Sequence, residues 1–532
     1  MAYVLFSALA ICVAIHLKAI GGDFLSDDFA HASWIADAQG KGELLEWLVT
    51  RLYSPLGSGN YAYRPVVFAS YALDWMIYGT NAAGWHLTNL LIHLINGGLI
   101  LTLAFRLAAR AGIADARFTA VATAALFLAI PFAGESTFWP VGRFDLLACM
   151  FSLGFLLFLV GGHPRMGWQR TFGALACLLM ALLSKESAMP MLAVGLALIF
   201  ALNLAERRSK NKSIGVTLTA SIKDSLAFYW PVIFLALAYF AWRKFLFGSP
   251  WKVFPDSHFP ASVSEFIARV VVLKQVFIYP YGQQVFLWGG FIAFGIAVWL
   301  VGVRDATQRA SMHSVVLGMT LFGCFLVYLL APATSFPVAS DNGEGIRNLY
   351  FPWAMFSLAA GFAIAHHRTR VALLCGLLVI AFWGQWRLVT LWQDSAAEML
   401  RVTKAIPALA NEIDESQFAL MLLPDYLTVV PFVRNAQGAV VMPPRQPVSY
   451  LTKLAAMSPL QFAEWESHFS DNTIGKARGA GVVFDRNAFH GVYCWVPSTG
   501  RFILLVAKPR FNDAKTWEAE TMQEATNKNC LL

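Results

Sequence analysis

Apolar runs of about 17–25 residues, the length that carries an α-helix across a bilayer, recur along the chain and leave little sequence for other folds. They lie near 1–20, 85–105, 117–132, 144–161, 171–184, 187–204, 226–246, 284–302, 312–330, 348–365 and 371–391, about eleven in all. Two regions are ambiguous: 171–184 is short and stops at Lys185, and 262–283 reads as an interfacial helix or a further span. Composition points the same way. The 532 residues are 58% hydrophobic and 14% charged, and the mean hydropathy of +0.56 excludes a water-soluble domain of this length. Backbone polar groups in lipid must be satisfied internally, so the expected fold is an α-helical polytopic membrane protein.

The formal charge of +8 would suggest a nucleic-acid partner in a soluble protein; in this one it reports orientation toward the bilayer. Loops after alternate spans hold Arg106, Arg110 and Arg117, then Arg165 and Arg170, then Arg207, Arg208, Lys210 and Lys212, then Arg304 and Arg309, then Arg368 and Arg370. The positive-inside rule places these loops in the cytoplasm, with the amino terminus beside them and the carboxyl tail outside. The first span lacks a basic leader and a small-residue cleavage site, so it reads as an uncleaved anchor.

That orientation gathers the polar clusters on the outer side. They are "GGDFLSDDFAHASW" at 21–34, "PFAGESTFWPVGRFD" at 131–145, "SKESAMP" at 184–190 and "PVASDNGEGIR" at 337–347. Ionisable residues near membrane depth are costly and usually functional. Asp27 and Asp28, following Asp23, suit a general base or a divalent-metal site; equally, they suit caps for the helix starting near Phe29. Arg143, Lys185 and Arg347 suit a phosphate, Arg through a two-pronged fork and Lys as a point charge. Their alternative is snorkelling to lipid headgroups, with Glu135 and Glu186 as plain ion-pair partners. Segment 331–347, with Pro332, Pro337, Gly343 and Gly345 before Arg347, reads as a lid that orders over bound donor, or as an ordinary connector.

In "GWHLTNLLIHLINGG" the residues His86, Asn89, His93 and Asn96 fall at i, i+3, i+7 and i+10, one face of the second span. A polar stripe on a membrane helix faces protein or water. It serves as interhelical hydrogen-bonding, most plausibly for Asn96, or as part of a site, most plausibly for His86.

Several segments occur in a specific order: "LSDDF", "YRPVVFASYALDWMIYGTNAAGWHLTNLLIHLIN" at 63–96, "IPFAGESTFWPVGRFDLLA" at 130–148, "LLSKESAMP" at 182–190, "RNLYFPW" at 347–353 and "TLWQDS" at 390–395. Across residues 20–395 this order resembles polytopic glycosyltransferases of the GT-C class. It is most similar to bacterial relatives of the tetratricopeptide-repeat-bearing transmembrane O-mannosyltransferases and, more distantly, to protein O-mannosyltransferases. The resemblance implies a GT-C-like catalytic membrane domain over 1–395 with an acidic first outer loop, 21–84. It implies an enzyme of the bacterial inner membrane that moves a sugar from a polyprenyl-phosphate carrier to a lipid, glycan or protein acceptor on the periplasmic side, with inversion. By that likeness Asp27 is the base and Asp28 orients beside it. Arg347, Lys185 and Arg143 meet the donor phosphate, and Arg64, His86, Asn89, Glu135 and Glu186 contact substrate. No cofactor is implied beyond a divalent metal as an option at Asp27 and Asp28.

The chain departs from those relatives around Pro131. Where they show a "HPxHxE"-like segment, it has Ile130 and Ala133 and keeps only Glu135, and no helical repeat follows residue 391. Residues 396–532 instead read as a small extracytoplasmic α/β domain. Its expected strands lie in "FALMLLPDYLTVVPFV" and "GRFILLVAKPRF", with an amphipathic helix in "SPLQFAEWESHF". Five of the seven cysteines fall in spans, where they read as small packing residues; Cys494 and Cys530 are placed to pair in an oxidising compartment. Rival readings are a transporter or flippase of a lipid-linked sugar, a polymerase or ligase of lipid-linked oligosaccharide, and a non-catalytic scaffold. Paired broken helices of inverted repeats, which would favour transport, are not evident.

Overall fold

The computed structural model describes residues 2–54, 62–132, 134–164, 166–208, 214–250, 252, 258–278, 312–335, 345–365, 369–434, 440–441, 443–459, 473–477, 480–483, 489–506 and 514–531. Its helices are α1 Ala2–Ile20, α2 Asp27–Gly40, α3 Leu44–Thr50, α4 Pro65–Tyr78, α5 Ala82–Arg110, α6 Ala116–Leu128, α7 Arg143–Gly162 and α8 Trp168–Leu182. They continue with α9 Met191–Arg208, α10 Ile214–Phe247, α11 Val263–Ile278, α12 Met312–Ser335, α13 Tyr350–Ala365, α14 Arg370–Glu412 and, after the strands, α15 Ala514–Asn527. Among the described residues, 8 helices are long and apolar enough to cross a membrane. The chain is therefore a multi-pass membrane protein. Ten of the expected spans lie on these helices; the one at 284–302 is outside the described residues, as are most of segment 331–347 and the helix expected at 458–469.

The described chain divides into two compact units. The first comprises Met1–Leu17, Thr50–Phe68 and His86–Val389. Its centre is α6 against α13, both buried around nearly their whole circumference, as expected for helices apolar on all sides. Their backbones approach closely at Gly361, where a Cβ would lie 2.1 Å from Thr123 Oγ1. Small residues permit this kind of van der Waals contact between membrane helices, where burial against lipid offers little driving force. Beyond this pair α7 lies on α8, and α9 on α10 and α12.

The second unit comprises Lys18–Val49, Ala69–Trp85 and Thr390–Leu532. Its strands are β1 Phe418–Leu422, β2 Tyr426–Leu427, β3 Val430–Pro431, β4 Leu454–Met457, β5 Thr473–Ala477, β6 Ala480–Val483, β7 Phe489–Val496 and β8 Arg501–Val506, and the main sheet runs in the order β4, β1, β7, β8. Strand β1 is parallel to both neighbours, and β7 pairs with β8 antiparallel. All five residues of β1 are buried, as a central strand covered on both faces requires. The far end of α14 contributes Trp392, Ala396, Met399, Thr403, Ile406 and Ala410, all buried, at the spacing of one helix face.

Cys494 on β7 is joined to Cys530, which follows α15. The bridge closes a loop across a sequence separation of 36. Replacing both cysteines by serine is expected to cost about 2–4 kcal/mol in denaturant titration of the purified protein. An unchanged midpoint would mean that the pairing does not stabilise this unit.

Candidate active site

In the first unit, charged residues of the segments 131–145 and 184–190 are held in pairs with Arg64, Arg243 and the backbone at residues 345–347. Residues Gly134–Phe138 form a π-helical turn and Pro140–Gly142 a 3-10 turn that leads into α7. This irregular backbone fits only because residue 142 is glycine: a Cβ there would sit 2.1 Å from the Glu135 carbonyl oxygen. Short π-helical segments are often found at functional sites. Here the turn aims Glu135, 1% exposed, at the start of the segment before α13. Its carboxylate accepts the Gly345 N–H at 3.1 and 3.3 Å and the Arg347 N–H at 3.2 Å. Gly345 adopts φ 101°, a left-handed conformation that glycine enters without strain. Glu135 thus pins the backbone on which Arg347 rides, and the Arg347 guanidinium lies 5.6 Å over the Trp139 ring.

The other side chains form pairs that sequence neighbours do not suggest. Lys185 donates to both oxygens of Asp145 at 2.7 Å, so Asp145 and not the adjacent Glu186 is its counter-ion. Glu186 is engaged through both oxygens. Oε2 accepts from Nε and Nη2 of Arg64 at 3.1 Å, while Oε1 accepts the Tyr63 N–H at 3.1 Å and lies 3.6 Å from Arg243 Nη1. Arg64 also packs 4.6 Å over the Phe144 ring. Arg143, with no exposed surface, donates from Nε to Asn89 Oδ1 at 2.8 Å. The snorkelling alternative for Arg143 and Lys185 therefore does not describe them, since both are buried among protein groups.

The polar stripe on α5 is buried throughout. Asn89 donates to the Trp139 carbonyl at 2.8 Å and Asn96 to the Leu146 carbonyl at 3.0 Å, while His93 Nδ1 is 2.8 Å from Tyr350 Oη. These three hold the α5–α7 and α5–α13 contacts together. His86 lies against the Phe138 backbone and near the Arg143 charge.

The network contains five cations, Arg64, Arg143, Lys185, Arg243 and Arg347, against three carboxylates, Glu135, Asp145 and Glu186. Arg143, Lys185 and Arg243 are buried like the three carboxylates, whereas Arg64 and Arg347 are only partly buried, so the positive excess lies on the two cations that keep some exposed surface. Burial holds the Lys185 ammonium down to about 8; the charges of Arg347 and Arg64 press in the same direction, and Asp145 opposes them.

Asp27 and Asp28 belong to the second unit and open α2. Asp28 is 2% exposed, and its Oδ2 accepts the Leu25 N–H at 3.0 Å, the backward-reaching half of a capping box. The capping alternative thus holds for Asp28. Asp27, the first residue of the helix, is only half-buried. Ser26 before it has φ 49°, a conformation costly for any residue with a Cβ. It is fixed by its N–H to the Phe432 carbonyl at 2.8 Å and its hydroxyl to the Arg434 carbonyl at 2.6 Å. Asp23 is paired with Arg445. Among the described residues no third His, Cys, Asp or Glu completes a metal-ligand group with Asp27 and Asp28, and one oxygen of the pair is already committed to the backbone. That donor set suits proton transfer better than caging an ion.

Sequence reading missed Asp145, Arg243 and Tyr350. Asp145 was visible two residues after Arg143; Arg243 looked like a boundary residue at the end of an apolar run, and only the fold shows it to be wholly buried.

No protein-family model matches the chain. A stretch of 196 residues, 35% of the chain, is 30% identical to the protein O-mannosyl-transferase Tmtc2 of Drosophila melanogaster. A stretch of 186 residues, 34% of the chain, is 28% identical to Tmtc1 of the same organism. The chain spans 20% of the length of each of these curated relatives. Superposition on the crystal structure of ArnT from Cupriavidus metallidurans in its apo state gives a TM-score of 0.45 at 12% identity, covering 80% of this chain and 84% of that one. For the same protein bound to undecaprenyl phosphate the TM-score is 0.42 at 12% identity, covering 87% and 90%. Superpositions at this level do not establish a common fold.

Proposed function

We propose that the chain is an integral-membrane glycosyltransferase of the GT-C class that moves a sugar from a polyprenyl-phosphate carrier to an acceptor hydroxyl on the outer side of the bacterial inner membrane. The observation that carries this reading is the cluster of five cations and three carboxylates, whose positive excess lies on the partly exposed Arg64 and Arg347, where an anion could be met. The departing group of such a donor is a lipid phosphate, and fixed cations stabilise the charge that grows on it as the glycosidic bond breaks. The similarity to O-mannosyl-transferases supports the reaction class, and the Cys494–Cys530 bridge supports an oxidising, outer location for the second unit. Asp27 is assigned the acceptor: a carbohydrate or protein hydroxyl is a weak nucleophile, and a carboxylate that takes its proton at attack makes the single, inverting displacement feasible. The purified protein, incubated with a panel of polyprenyl-phosphate sugars and envelope acceptors, is expected to consume one donor when followed by mass spectrometry. Unchanged donor across the panel, with movement of lipid-linked sugar across vesicles, would select the transporter instead.

Arg347 is the first cation assigned to the phosphate, because Glu135 secures its backbone and leaves a planar fork beside Trp139. Donor affinity is expected to fall from wild type to Arg347→Lys to Arg347→Ala, the last step costing about 1.5–3 kcal/mol, the range for a charge-assisted hydrogen bond. Lysine retains charge but not two-pronged geometry. Equal affinities for all three variants in detergent binding assays would remove Arg347 from this role.

Lys185 supplies a pH test. Its ammonium loses a proton as pH rises through about 8, so donor affinity is expected to weaken above that pH and hold below it. Lys185→Arg keeps its charge throughout and should flatten the profile. A wild-type profile already flat from pH 7 to about 9.5 would show that the Lys185 charge does not bind donor.

A further inference from the structure

The first span carries two polar residues that the proposed reaction does not use. Cys12 and His16 stand one turn apart on α1 and share a face, and His93 approaches from α5. One ligand atom from each, a thiol sulfur and two imidazole nitrogens, lie within 4.8 Å of one another. All three side chains are buried, at 0%, 2% and 0% exposure. The two imidazoles stack with ring centres 5.4 Å apart.

Each ring is oriented through its Nδ1. That of His16 donates to the Cys12 carbonyl at 2.8 Å and lies 3.6 Å from the Cys12 sulfur. That of His93 is 2.8 Å from Tyr350 Oη, which also receives an N–H from Asn96 at 3.1 Å. The remaining nitrogen of His16, Nε2, is buried with no hydrogen-bond partner among the described residues, while His93 also faces the Leu128 backbone. A buried imidazole nitrogen is normally satisfied, and a histidine fixed through one nitrogen with the other left open, as His16 is, is how metal-binding histidines are usually held. A thiol one helical turn from one of these rings completes the set.

We propose that Cys12, His16 and His93 form a copper site, loaded as Cu(I). One thiolate and two imidazoles make the His₂Cys set that copper accepts. Cu(I) replaces the Cys12 thiol proton, which is released to the buffer, and a single positive ion with one thiolate is neutral overall, the least costly charge state in a low-dielectric interior. Zn(II) in the same place would leave a net positive charge and, with three protein ligands, a fourth position to be filled. The ion ties α1 to α5. The site stands independently of the proposed glycosyl transfer.

The test uses untagged full-length protein in detergent, equilibrated anaerobically with Cu(I) and Zn(II) in equal amounts, desalted and measured by elemental mass spectrometry. One copper per chain is expected, with a rise in melting temperature relative to the chelator-treated protein. Cys12→Ala and His16→Phe should each lose the copper, whereas Cys149→Ala, which alters another buried membrane thiol, should retain it. Where Cys12→Ala fails to yield folded protein, Cys12→Ser provides the same comparison with near-native volume. No copper above the level of the variants, copper retained by Cys12 and His16 variants, copper lost from Cys149→Ala, or zinc held in preference would each overturn the assignment.

Discussion

Replacing Asp27 by asparagine is expected to lower turnover by about 10²–10⁴-fold, the span that general-base catalysis contributes, with little change in melting temperature. The substitution is nearly isosteric, and Asp27 is half-buried at the first position of α2. What the fold loses is the favourable meeting of a carboxylate with the helix amino terminus, about 0.3–1 kcal/mol. Asp28 should respond in the opposite sense. It is 2% exposed and closes the turn by accepting the Leu25 N–H, so Asp28→Ala should cost about 0.5–2 kcal/mol of stability, as loss of a cap does. Paired measurements of kcat and denaturant midpoint on the two variants separate chemistry from capping. Turnover of Asp27→Asn within about threefold of wild type would remove it from the base role.

This contrast between neighbouring aspartates marks the limit of what the sequence could disclose. Apolar length and the 3.6-residue period located the spans because lipid leaves a helix as the only local solution. The same period placed His86, Asn89, His93 and Asn96 on one face, and all four are buried. Charge pairing followed a different logic. Lys185 and Glu186 are adjacent yet bind Asp145 and Arg64, because Lys185 is extended while Glu186 opens a 3-10 turn, and their side chains meet Asp145 on α7 and Arg64 just before α4. Asp23 finds Arg445 across 422 positions, a separation at which no local pattern operates. In the C-terminal region, β1 and β8 were evident as apolar runs, whereas β7, "FHGVYCWV", was obscured by its His, Gly and Tyr. The Cys-x-x-x-His spacing on α1 was present in the sequence, but its third member lies on another helix.

The largest stability effect is expected at Glu186. Its carboxylate is the common partner of Arg64 and Arg243 and also receives the Tyr63 N–H. Arg243 has no exposed surface, and it also donates to the carbonyls of Pro250 and Lys252 at 3.2 and 2.8 Å and, at 3.5 Å, to the Tyr239 hydroxyl. Glu186→Ala removes the carboxylate that these two guanidiniums share, and breaking a buried pair typically costs about 3–5 kcal/mol. Glu186→Gln keeps the volume and one acceptor, so it should cost less, and Arg64→Met combined with Glu186→Gln should be less destabilised than the two single changes added together. Binding should diverge from stability. Removing a carboxylate from a cluster assigned to a phosphate increases its positive excess, so donor affinity in the surviving folded fraction should be retained or strengthened. Denaturant titration in mixed micelles reads the first quantity and donor-lipid binding at low temperature the second. A loss below about 1 kcal/mol would show that the pairs are solvent-screened, and a fall in affinity at unchanged stability would make Glu186 a substrate ligand in place of an anchor for Arg64 and Arg243.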